Sequence, residues 1–325
     1  MKDRAFPLDQ ANLTPDGWRL ERPEVFALLN KLRSKGTPLG EYVKGRFYRG
    51  ILTGLNEAFV VDRATRDRLV EEDPKSEEVL KPFLRGRDVK RWKANPQDLW
   101  LVFIPWHFPL HLNPEIKGAS AVAEKAFREQ YPSIFNHLLD YKEALESRNK
   151  AETGIRYEWY ALQRWGSEYW QEFEQPKVII PAIEKGCEIA VDFEGHYGND
   201  KTSICVSPEA PYLAAVLNAS ITWWQIIATA ASRQNEFFEF KPMYVAPLPI
   251  PPASDEDKKR LSELVQSATT STSRNDPSSL KTAETEINRI VYRLFDLTGD
   301  EIRLIESSLA TESQSNPTTE SWLTE

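Results

Sequence analysis

Residues 73–93 read DPKSEEVLKPFLRGRDVKRWK. The first half is acidic and its spacing predicts a short helix over 76–84, closed by Gly86. The second half turns basic: residues 81–93 hold six Lys or Arg and a single acid, Asp88. One carboxylate cannot neutralise Arg85, Arg87, Lys90 and Arg91, so several of them must face solvent or a phosphate. Trp92 is expected in the core. The whole chain has 325 residues and a formal net charge of −8, so this basic patch stands against an acidic average. The acid is concentrated beyond residue 250, where fourteen Asp and Glu face eight Lys and Arg. Local patches, not the average, decide what a surface attracts.

On the N-terminal side, residues 21–35 place Val25, Leu28, Leu29 and Leu32 on one helical face. Residues 47–61 mix β-branched and aromatic side chains with Gly50 and Gly54, and predict two short strands joined by a tight turn. Residues 64–72 predict a short helix ended by Asp73-Pro74. On the C-terminal side, residues 99–105 form a short apolar run, read as a buried strand. Residues 119–131 and 132–148 predict helices. Residues 177–181, 188–193 and 202–206 predict strands of one mixed sheet. Residues 211–232 predict a helix. The stretch 210–232 has no charged residue and is long enough to cross a bilayer. It is diluted by Asn218, Ser220, Thr222, Gln225 and Thr229 and has no basic flank, so a buried helix is the better reading.

The expected fold is α+β: a mixed β-sheet with packed helices, followed by a C-terminal helical segment. Residues 1–36 are read as a helical lead-in, 37–253 as the main domain, 254–308 as C-terminal helices and 309–325 as a disordered acidic tail. Four prolines make 243–253 an extended strap. Residues 255–266 predict an amphipathic helix, 267–279 a flexible Ser/Thr-rich linker and 285–307 further helix. Two cysteines, Cys187 and Cys205, exclude a disulfide scaffold and fit a reducing cytoplasm. The first ten residues carry no apolar run that would mark a signal peptide.

Catalytic patterns are sought and not found. No phosphate-cradling GxxxxGK, no GxGxxG and no GxSxG elbow occurs. His107 and His111 are four residues apart, but Pro109 lies between them and no Glu completes a zinc site. Asp88 and Lys90 resemble a nuclease pair only at the dipeptide scale. No metal site and no catalytic residue is assigned.

GILTGLNEAFVVD at 50–62, followed by the quoted 73–92 stretch, resembles the opening of the TaqI-like C-terminal specificity domain. That domain is the target-recognition module of type IIG restriction-modification enzymes and adenine-N6 DNA methyltransferases. The order continues through YPSIFNHLLDYKEALESR (131–148), EWYALQRW (158–165), KVIIPAI (177–183), YLAAVLNAS (212–220), VAPLPIP (245–251) and a helical EINRIVYRLFDLTGDEIRLIE (286–306). The resemblance spans about residues 37–308. The family's catalytic domain carries a glycine-rich cofactor motif and an NPPY tetrapeptide, and neither occurs here.

The resemblance implies sequence-specific recognition of duplex DNA in phage defence, with no catalysis by this chain alone. It implies no cofactor in this chain, with S-adenosylmethionine confined to a catalytic domain or subunit elsewhere. Arg46, Arg49, Arg85, Arg87, Lys90 and Arg91 are expected at phosphates. Thr53 and Asn56 either fix the turn around Gly54 or reach a phosphate. Arg148, Arg156, Gln163 and Arg164, interleaved with aromatics, are candidates for reading base edges. Asn199, Lys201, Arg233 and Gln234 are further candidates in loops. The alternative is a protein-interaction module that docks to a separate methyltransferase or nuclease subunit through its acidic tail and Pro-rich strap. No membrane partner is expected.

Overall fold

The computed structural model describes residues 22–233 and 237–314, with side chains to 310. Gln234, residues 1–21 of the lead-in and residues 315–325 of the tail lie outside it. The chain begins α1 (Pro23–Lys35), β1 (Thr37–Pro38), α2 (Leu39–Tyr42), β2 (Phe47–Arg49), α3 (Asn56–Phe59), β3 (Val60–Asp62) and α4 (Arg63–Glu72). A 3₁₀ turn, Pro74–Val79, leads to β4 (Leu80–Leu84), β5 (Val89–Lys90), β6 (Lys93–Ala94) and β7 (Leu99–Val102). Helices α5 (Ala121–Gln130), α6 (Pro132–Leu139) and α7 (Lys142–Ser147) follow. Then come β8 (Lys177–Pro181), β9 (Ile183–Glu184), β10 (Ala190–Asp192), β11 (Tyr197–Gly198) and β12 (Thr202–Val206). The chain continues with α8 (Ala210–Asn218), α9 (Ser220–Thr229), β13 (Phe238–Glu239), α10 (Pro242–Val245) and β14 (Pro249–Ile250). It closes with α11 (Asp255–Arg274), α12 (Pro277–Leu294) and α13 (Gly299–Gln314).

Two four-stranded sheets organise these pieces, in the orders β10-β8-β12-β2 and β11-β4-β7-β3. The expected α+β class holds. The first sheet is antiparallel throughout rather than mixed; the second is mixed, because β11 runs parallel to β4. Strand periodicity puts the first sheet between two apolar cores. Val178, Ile180 and Cys205 face a core built with α1, α8, α9, α11 and α12. Ile179, Ile204 and Val206 face an aromatic-rich core with Phe83, Phe127, Tyr160 and Tyr197. Buried in this sheet, the Lys177 ammonium pairs with Asp192, whose other oxygen bonds His196 Nδ1 at 2.8 Å. Burial would raise the Asp192 carboxyl, but the His196 hydrogen bond and the Lys177 charge outweigh it and hold it below its ordinary value.

Several local expectations are corrected. Residues 80–84 form a strand, not the end of a helix: Pro82 cannot donate to a helical ladder, and β4 is paired on both edges by β7 and β11. β2 and β3 are not a hairpin but belong to different sheets, because the chain crosses between them at residues 50–55. The 210–232 helix breaks at Ala219. No helix among the described residues is long and apolar enough to cross a membrane.

The expected linker at 267–279 is helix α11 running on to Arg274, a left-handed turn at Asn275, and the start of α12. Its Ser and Thr hydroxyls bond carbonyls one turn back, as Thr270 does to Gln266 and Thr272 to Ala268. Its helical state is paid for by burial of Ala268 and Ser271 against α12 and α8. The Pro-rich strap is consumed within the fold: β14 pairs with β1, and Leu248 and Ile250 are buried.

Ser76 and Ser133 share a buried hydroxyl contact of 2.8 Å that joins the 3₁₀ turn to α6, and Ser133 also donates to Leu69 O at 2.9 Å. Ser133→Ala is therefore expected to cost about 1–2 kcal/mol, read as a lower urea midpoint at unchanged slope.

Candidate nucleic-acid interface

The segment from Gly50 to Asn56 is threaded between two loops. Ile51 N donates to Gly198 O at 2.8 Å, and Leu52 exchanges hydrogen bonds with Arg164 at 3.0 and 2.9 Å. A Cβ at Gly50 would lie 1.9 Å from Asn199 O, so only glycine allows this approach. Gly54 has φ +79, and a Cβ there would meet Gln163 Oε1 at 2.8 Å. Thr53 is buried and its hydroxyl donates to Asn56 Oδ1 at 2.7 Å. Of the two roles left open for Thr53 and Asn56, the turn-fixing one is in place.

Asn199 is the knot of the neighbouring loops. Its N donates to Leu84 O at 3.1 Å. Its Oδ1 accepts from Gly86 N at 3.2 Å and Lys201 N at 3.3 Å. The basic stretch after β4 is thereby fastened to the turn between β11 and β12, beside Gly50. Sequence-distant candidates at 49–56, 85–87, 163–164 and 199–201 are gathered at one junction.

Across the basic candidates, hydrogen-bond accounting separates spent cations from unspent ones. Arg85 forks onto the buried Asp88 at 2.8 and 2.9 Å. Arg46 forks onto Glu172 at 3.1 and 2.5 Å. Arg91 pairs with Glu284 at 2.6 Å. Lys201 pairs with Asp200 at 2.9 Å, and Arg233 pairs with the buried Glu239, which also takes Lys241. Arg156 is exposed and holds Glu152 only at 3.4 Å. Arg49, Arg87 and Lys90 are exposed and have no side-chain ion pair or hydrogen bond among the described residues.

Arg148 corrects the expectation most sharply. It was expected at a base edge, but it is buried. Its guanidinium bonds Thr53 O at 2.5 Å, Trp159 O at 2.9 Å and Ala161 O. It lies over the Phe59 and Tyr157 rings. Burial pushes it down to about 10, so it stays charged at neutral pH. This cation is a carbonyl-gathering strut. Its sequence, a basic residue beside aromatics, is the same in a core strut as in an interface.

Arg164 differs at its outer nitrogens. Its Nε is buried without a partner, as Arg148 Nε also is, but where Arg148 makes three carbonyl bonds Arg164 Nη2 reaches only Gly50 O at 3.4 Å. Buried donors are rarely left unpaired, so an orphan of this kind needs an explanation. Tyr169, stacked on Tyr48 at 4.6 Å and 6°, lies in the field of both Arg164 and Arg49. Burial raises the Tyr169 hydroxyl, and these two cations oppose it. Tyr48 and Tyr169 were not singled out from sequence; the RFYRG alternation at 46–50 carried the only signal, and the stacking partner is 121 positions away.

His107 and His111 do not form a metal pair. His107 Nδ1 bonds Glu158 at 3.0 Å, and His111 stacks on Phe108. Among the described residues, no group of His, Cys, Asp and Glu is arranged to hold a metal ion.

The family model of the TaqI-like C-terminal specificity domain matches residues 81–250. The chain belongs to this family. Among solved structures, the specificity domain is similar in fold to MmeI, a type IIL restriction-modification enzyme solved in complex with DNA. The TM-score is 0.54 at 13% identity, over 82% of this chain and 35% of that one. The chain thus spans 35% of the length of that enzyme. No curated protein matches the chain. The matched segment contains β4 to β14, and with them the basic stretch, Arg164 and the Asn199 knot.

Proposed function

We propose that this specificity domain binds duplex DNA sequence-specifically and positions an adenine-N6 methyltransferase of a restriction-modification system on its target. Arg49, Arg87 and Lys90 take phosphates and set the register, and Arg164 and the exposed Arg156 read base edges. The observation that carries this reading is that Arg49, Arg87 and Arg164, whose side chains make no ion pair, lie on the segments that meet at the Gly50–Asn199 contact of a chain in this family. Methyl transfer, and the S-adenosylmethionine it consumes, belong to a catalytic domain or subunit elsewhere, and the setting is the cytoplasm. The docking alternative loses one support, because the strap is packed internally.

The test is binding to a randomised duplex pool across a salt series. Log affinity should fall linearly with log salt, with a slope of about −0.9 for each neutralised phosphate. Absence of binding at low salt overturns the reading. On a site selected from the pool, Arg164→Lys keeps the charge and loses the planar fork. It should cost about 1–3 kcal/mol there and little on random DNA. The purified chain alone should transfer no labelled methyl group to DNA.

A further inference from the structure

β5 and β6 are joined by a turn of only two residues, Arg91 and Trp92, with Lys90 paired to Lys93. Trp92 sits at φ +70. A bulky side chain in the left-handed region is a true outlier that costs on the order of 1–3 kcal/mol. Such a conformation persists only where its surroundings over-determine it. Trp92 is held at several points: its N donates to Ile189 O at 3.1 Å, its O accepts from Thr269 at 2.9 Å, and its indole Nε1 donates to Glu284 at 2.7 Å. The same Glu284 oxygen takes Arg91 Nε at 2.6 Å, and the Arg91 guanidinium covers the Trp92 ring. Thr269 lies on α11 and Glu284 on α12, so both clamps come from the C-terminal hairpin. The Trp92 side chain is buried in the core that α11 and α12 share, and a cavity of about 470 Å³ opens beside the turn, lined by Lys93, Ala94, Val265 and Gln266.

We infer that Glu284 is a positioning residue for DNA binding: through Arg91 and Trp92 it holds the strained turn, and with it Lys90 and Arg87, in the register that meets the phosphates. The assignment rests on the DNA reading above. It makes the C-terminal hairpin part of the recognition surface although none of its residues need touch DNA.

The experiment compares wild type, Glu284→Ala and Arg87→Ala/Lys90→Ala on a randomised duplex pool across a salt series, well below the melting point of each. Backbone hydrogen exchange at residues 89–94 is followed in parallel. The expected result is faster exchange in Glu284→Ala, an affinity loss of tenfold or more, and a flatter salt slope approaching that of the double variant. If Glu284→Ala does not fold, Glu284→Gln takes its place; one amide oxygen cannot replace the charge that holds Arg91, so a smaller change in the same direction is expected. Wild-type slope and affinity in the folded Glu284 variant, beside a flattened slope in Arg87→Ala/Lys90→Ala, overturn the positioning role and leave the DNA reading standing. No binding by wild type overturns the DNA reading itself.

Discussion

Arg148→Met should lower stability by about 3–5 kcal/mol, a large share of the roughly 5–15 kcal/mol that holds a domain together. The methionine fills most of the volume but donates nothing. Three carbonyls, of Thr53, Trp159 and Ala161, then lose a donor in a site that water does not reach. Each buried acceptor left unmade costs on the order of 1–3 kcal/mol, partly recovered by relaxation. The damage is expected to spread, because the same guanidinium ties the Gly54 turn to the 159–161 segment. Urea denaturation reads the loss as a lower midpoint. Were Arg148 instead a base-reading residue, as its sequence context invites, the variant would keep wild-type stability and lose only discrimination between duplexes. The two results are easily told apart.

Arg49, Arg87 and Lys90 make the opposite prediction. All three are exposed and make no side-chain hydrogen bond or ion pair among the described residues. Replacing them together with Ala should leave the melting midpoint within about 0.5 kcal/mol of wild type, as for surface positions generally. Affinity for DNA should fall about a hundredfold near physiological salt, and the salt slope should flatten by about 2.7, from roughly 0.9 for each lost phosphate contact. The loss should be equal on specific and random duplexes, since phosphates carry no sequence. An unchanged slope in the folded triple variant would leave this cluster a solvated face. Arg85 and Arg91, equally basic in sequence, should not behave this way. Arg85→Ala strands the buried Asp88, and Arg91→Ala loosens the turn held by Glu284.

Much of the architecture was legible from periodicity and punctuation. The face of α1 follows from Val25, Leu28, Leu29 and Leu32, and the strands at 177–181 and 202–206 follow from short apolar runs. The misread segments were those in which tertiary partners outvote local preference. Residues 80–84 became a strand because two neighbouring strands bond to them, and 267–274 became helix because its small residues pack against α12. Composition there signalled a linker, since Ser and Thr carry no strong local instruction and leave the decision to packing.

The basic clusters themselves were legible as excess charge: one Asp among six cations at 81–93 already required that some remain unpaired. Which ones remain so was not legible. The partners that silence Arg46, Arg91 and Arg148 lie at Glu172, at Glu284 and on the carbonyls of residues 53, 159 and 161. For Arg46 and Arg91 those partners are separated by 126 and 193 positions. Charge is a property of the residue, and sequence alone determined how much of it this chain carries and where along the chain. Whether a charge is free to meet a phosphate depends on which donors and acceptors the fold brings within 3 Å of it, and only the tertiary structure decided that.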